Sequence, residues 1–207
     1  MAKADEKLDL YKQYKAEYVK PKTPTLVDVG PATYLSIDRS GEPCGETIMP
    51  AMGAIFAVAY AIKMTRKFAG LGDYKVCAPE GLYWVPCKYQ SFEDAPKSEW
   101  QWKMMIRTPD FITRKDLAAA QQTLIEKGKD ASVKDVRLET IDEGRCVQML
   151  HVGPYGEVRQ AVARMLEFAT GQGLAFQGRY HEIYLSDPRR VAPEKLKTLL
   201  RHPVCPR

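Results

Sequence analysis

The chain has 207 residues, 45% of them hydrophobic and 28% charged, the profile of a soluble globular protein long enough for one large domain or two small ones sharing a core. Five cysteines with no C-x-x-C pair and three scattered histidines argue against a disulfide framework and a zinc site, so neither metal nor cofactor is expected. The net charge of +5 arises from 31 basic and 26 acidic residues that are interspersed, which fits a solvated mixed surface better than an anionic partner.

The opening Met-Ala-Lys-Ala-Asp-Glu-Lys is charged throughout and lacks the form of a signal peptide, which points to the cytoplasm. Residues 8–19 space Leu8, Tyr11, Tyr14 and Tyr18 as a helix, ended by Pro21 and Pro24. Residues 26–29 and 33–37 are β-rich runs around Gly30-Pro31 and read as an antiparallel pair with a turn between them. Residues 49–68 form a long helical pattern closed by Gly70-Leu71-Gly72. Its most apolar part, 49–64, contains Pro50, Gly53 and Lys63 and falls short of a membrane span.

Two aromatic strands follow, around Gly81-Leu82-Tyr83-Trp84 and over 99–107. Thr113 caps a helix running to about residue 127, with Asp116 in its first turn. Residues 133–141 and 145–152 flank Asp142-Glu143-Gly144, a hairpin signal. Gly153-Pro154-Tyr155-Gly156 leads into a helix over 157–170. The tail, 189–207, is biased towards basic residues, but nothing in it has the form of a recognition helix, so no direct nucleic-acid binding is expected.

The strand 179–185 is the organising element. It alternates Tyr180, Glu182 and Tyr184 with His181, Ile183 and Leu185. The face with Ile183 and Leu185 is expected under helices, leaving Tyr180, Glu182 and Tyr184 to line an open pocket. A carboxylate between two phenols is costly unless paired, solvated or used. Strand, turn, strand, long helix, glycine stop and aromatic strand occur at 25–85 and again at 133–185, so a pseudo-twofold body is the economical explanation. Aligning the repeats sets Gly81 against Glu182 and Tyr83 against Tyr184, with a cleft between like units as the place for a ligand.

Leu26-Val27-Asp28-Val29, residues 52–60, Glu80-Gly81-Leu82-Tyr83-Trp84, His151-Val152-Gly153-Pro154-Tyr155 and residues 180–190 together resemble the GyrI-like small-molecule-binding family over nearly the whole chain. The resemblance implies an α+β fold of two strand-helix-strand-strand modules with antiparallel sheets, at about 25–108 and 130–188 of a single domain. Residues 1–24 and 189–207 would flank them. It further implies a cleft of aromatics and a glutamate at the junction, like the effector pockets of multidrug-responsive activators. The DNA-binding helix pair of those regulators has no counterpart here. Stand-alone members include hydrolases that open the cyclopropane of DNA-alkylating natural products.

On this basis Glu182 and Tyr155 are the candidate catalytic pair, and Tyr83, Trp102, Tyr180, Tyr184, Gly81 and His151 the candidate ligand contacts. The expected partner is a bulky, planar, hydrophobic or cationic small molecule, with no membrane involved. The competing readings are structural. Glu182 would pair with Arg107 or Arg179, the tryptophans would be core anchors with Trp84 leaning that way, and His151 and Tyr155 would be packing residues. Three functions remain open: hydrolysis, drug sequestration or effector sensing without turnover, and inhibition of a protein partner.

Overall fold

The alternating stretches become strands and the 3.6-period stretches become helices. The structure is a computed structural model that describes residues 7–89, 91–92 and 94–207. Among them are four α-helices: α1 (Leu10–Gln13), α2 (Gly45–Phe68), α3 (Arg114–Glu126) and α4 (Val158–Gly171). The nine strands are β1 (Thr25–Val29), β2 (Ala32–Ser40), β3 (Pro79–Trp84), β4 (Gln101–Arg107), β5 (Arg137–Ile141), β6 (Gly144–Val152), β7 (Leu174–Phe176), β8 (Tyr180–Tyr184) and β9 (Lys197–Pro206). They pair antiparallel in the order β1-β6-β9-β8-β3-β4-β2-β5, with β7 on β9. The fold class is α+β.

The two halves correspond as β2-α2-β3-β4 and β6-α4-β8-β9. The second half therefore ends with β9, within the tail expected to lie outside the module. The two expected hairpins do not form. β1 pairs with β6 and β5 with β2, and one register runs through both ladders, with Val29 opposite Gly144 and Ala32 opposite Ile141. Gly30-Pro31 and Asp142-Glu143 are breaks in two long strands. Local turn chemistry was present at both places, yet each half gains more by pairing with the other. Because β6 continues through β9, β8, β3 and β4 to β2, the hydrogen-bonded path returns on itself.

α1 is one turn, far shorter than the 8–19 pattern. Asp9 caps it, and Tyr11, Tyr14 and Tyr18 still pack on the body of the protein. α2 starts four residues before the expected helix and is, by length and composition, long and apolar enough to cross a membrane. Here its stripe of Ala51, Ala54, Ile55, Val58, Ala59 and Ile62 is buried in the main core with Leu35, Ile37, Met104 and Ile106. Thr113 and Asp116 form the capping box of α3, each side chain bonding the other's backbone N–H. α4 buries Ala161, Met165 and Ala169 against Val147, Met149 and Leu200.

The inner face of the closed sheet is charged. His181 is fully buried, with Nδ1 2.9 Å from Glu143 Oε1 and Nε2 3.0 Å from Glu80 Oε2. Arg201, equally buried, donates to Glu143 Oε2 at 2.7 Å and to Gln148 Oε1 at 2.7 Å. The segment after α1 closes one end of this interior. Tyr18 donates to Glu80 at 3.1 Å, Arg107 donates to Glu17 at 2.6 Å, and Arg201 and Gln148 donate to the Glu17 carbonyl.

Candidate functional site

β3 and β8 run between the two large helices, α2 lying on β2 and β4 and α4 on β6 and β7. At the middle of this strip Gly81 stands directly opposite Glu182, as expected, but Tyr83 is opposite Tyr180 and not Tyr184, because β3 and β8 pair antiparallel. The strip faces the helices. Tyr83 and Tyr184 pack against the α2 core and Tyr180 against the α4 core. The expectation for β8 was therefore inverted, since helices flank the Glu182 face while Ile183 packs inward with Tyr18 and Leu199. The inward face carries both Ile183 and the charged network, and alternation alone does not tell which side of a strand meets helices.

Glu182 is 8% exposed. Among the described residues it forms no ion pair, and the two arginines considered for that role are engaged elsewhere. Arg107 pairs with Glu17, and the Arg179 guanidinium lies 3.8 Å from the centre of the Trp84 ring. Burial raises the Glu182 carboxyl above its ordinary 4.5, and hydrogen bonding from the Tyr184 and Tyr180 hydroxyls only partly offsets it. Burial likewise raises the phenols of Tyr83, Tyr180 and Tyr184, with Glu182 the next contributor.

The Tyr83 and Tyr184 hydroxyls bond each other. The Tyr83 ring lies over Gly81, so close that a methyl group there would come within 2.8 Å of it. Tyr155 stands in the turn before α4, 37% exposed, with its ring edge-on to Tyr184 at 5.6 Å. The expected open pocket is thus closed here by tyrosines. An open concavity of about 400 Å³ lies at a mouth of the closed sheet instead, lined by Leu82, Lys103, Glu139, Glu143 and Arg179 among others.

His151 is on the same side as Met149, with Nε2 3.1 Å from the Pro154 carbonyl, which requires Nε2 to donate. Trp102 is fully buried beneath α2 and donates to the Gly41 carbonyl at 3.2 Å, a core position. Trp84 is half-buried beside Leu82 and Met105. No group of three or more His, Cys, Asp or Glu side chains is arranged for a metal among the described residues.

Residues 22–204 match the GyrI-like small-molecule-binding domain. The chain belongs to that family. An uncharacterised conserved protein from Listeria innocua is 37% identical with a TM-score of 0.88, covering 96% of this chain and 100% of that one. Two proteins from Listeria innocua described as hydrolases are similar at 36% identity, TM-score 0.85, and 35% identity, TM-score 0.84; they cover 97% and 96% of this chain and 100% of their own. No curated protein matches the chain. The domain of this family binds small molecules.

Sequence reasoning missed one group on this face. Thr198 lies on β9 between Tyr184 of β8 and His151 of β6, directly paired with both. The signal that could have found it is the repeat itself. β4 follows β3 in the first half, so a strand had to follow β8 in the second.

Proposed function

We propose that this cytoplasmic GyrI-like protein binds a flat hydrophobic or cationic small molecule over Glu182 and hydrolyses it by opening a strained cyclopropane, protecting the cell from a DNA-alkylating compound. The observation that carries the reading is Glu182 itself, a buried carboxyl with a raised pKa that forms no ion pair among the described residues, surrounded by the phenols of Tyr83, Tyr155, Tyr180 and Tyr184. Raising a carboxyl's pKa by burial moves it towards the working pH, where proton exchange is more effective. The similarity to two proteins described as hydrolases supports turnover.

In the reaction, Glu182 takes a proton from water as the water oxygen bonds to a ring carbon. The carbon–carbon bond of the three-membered ring breaks, and its electron pair passes to a conjugated carbonyl oxygen of the substrate, which takes up a proton as Glu182 releases the one it gained, so that water is added across the broken bond and the carboxylate is restored. The hydroxyl of Tyr155 donates a hydrogen bond to that oxygen as charge develops. Glu182→Gln should leave the affinity for a neutral cyclopropane substrate within a few-fold and lower the single-turnover rate by roughly a hundredfold or more. An unchanged rate would overturn the catalytic role. Binding without turnover is the second reading, favoured by the domain's small-molecule-binding character. In that case the same change should weaken cationic ligands and spare neutral ones.

A further inference from the structure

Among the described residues Thr198 Oγ1, on the same face as Glu182, is buried without any hydrogen-bond partner. The whole residue is at 0% exposure. Its neighbours in the strand show which way it points: Leu200 packs with the α4 core, and Leu199 packs inward with Tyr18 and Ile183. Thr198 shares the side of Leu200, and Leu200 is paired with Glu182. Glu182 and Thr198 are therefore diagonal neighbours on one face, at a separation of about 7–8 Å in such a ladder. The row His151, Thr198, Tyr184 crosses three strands beside Glu182.

His151 directs Nε2 to the Pro154 carbonyl and Tyr184 spends its hydroxyl on Tyr83, so Thr198 stands between two engaged groups with its own hydroxyl unused. A buried hydroxyl without a partner costs stability that a valine would not, and native proteins keep few of them. Retained cost of this kind is the mark of a position kept for something other than the fold.

We propose that Thr198 is a specificity-determining contact on the Glu182 face, and that its hydroxyl hydrogen-bonds an oxygen on the edge of a flat ring system. This rests on the reading of the Glu182 strip as the ligand site and narrows the ligand class to flat rings bearing an edge oxygen. The residue acts by contact with the ligand and requires no bond-making step.

The test uses carbazole and its four monohydroxy isomers, titrated by fluorescence into the full-length protein and into Thr198→Val and Thr198→Ser. Carbazole should bind all three equally. At least one hydroxy isomer should bind the wild type and Thr198→Ser about fivefold to tenfold better than Thr198→Val, the scale of one buried hydrogen bond. The melting temperature of Thr198→Val should be unchanged or higher, which separates this loss from damage to the fold. If no isomer distinguishes wild type from Thr198→Val, or if carbazole itself weakens in parallel, the assignment is overturned. Failure of every flat probe to bind the wild type would instead sink the ligand-site reading on which it rests.

Discussion

His181 and Glu182 are adjacent in the chain and face opposite ways, and their surroundings could hardly differ more. On the inner face His181 meets two carboxylates, both ring nitrogens are used, and its pKa is raised to about 9. Its partner Glu143, also bonded to Arg201, is lowered to about 2. On the outer face Glu182 forms no ion pair among the described residues, and Thr198 keeps a hydroxyl without a hydrogen-bond partner. Completely paired buried charge holds one arrangement of strands in place, because removing any member strands another. A buried hydroxyl without a partner adds nothing to the fold, which is why Thr198 is proposed as a ligand contact.

The comparison breaks most easily at Arg201. Arg201→Met should cost about 3–5 kcal/mol, since it leaves Glu143 buried beside a weakened partner set, measured by urea unfolding. A cost near zero would mean that the inner network does not hold the fold. The pH dependence sharpens the same point. A histidine raised from 6.5 to about 9 stabilises fully below 6.5 and loses that contribution as pH rises through 9, whereas a carboxylate lowered from 4.5 to about 2 stabilises above 4.5 and loses it as pH falls through 2. The stability gap between wild type and His181→Gln should be widest between pH 4.5 and 6.5 and shrink in both directions. A gap independent of pH would contradict the charged pairing.

Much of the outer face was legible in the sequence. Period-2 alternation gave β8, Thr113 and Asp116 gave the start of α3, and the repeat placed Gly81 against Glu182, which are direct neighbours in the sheet. The strand pairing was not legible, because Gly30-Pro31 and Asp142-Glu143-Gly144 satisfy local turn rules while the ladders they interrupt join residues more than a hundred positions apart. β9 was hidden by Pro203 and Pro206, which argue against a central strand by local rules. With β9 unseen, neither Arg201 nor Thr198 could be placed. The inner network escaped for the same reason: Glu80, Glu143, His181 and Arg201 come from four segments that only the closed sheet brings together.

The smallest expected effect is the most direct test of the difference between the two faces. Glu182 has a folded pKa above its ordinary 4.5 because burial disfavours its charge, so the folded state holds that proton to higher pH than the unfolded state and loses stability as pH rises through the raised value. Unfolding free energies of wild type and Glu182→Gln should be compared by urea denaturation across the pH range. The two proteins should be equally stable below pH 4.5, and Glu182→Gln should become progressively the more stable as pH rises, a gain set against its lost function. A Glu182→Gln protein that is less stable than wild type at neutral pH would show that the carboxylate is paired and structural after all, and would contradict the assignment of this face to a ligand.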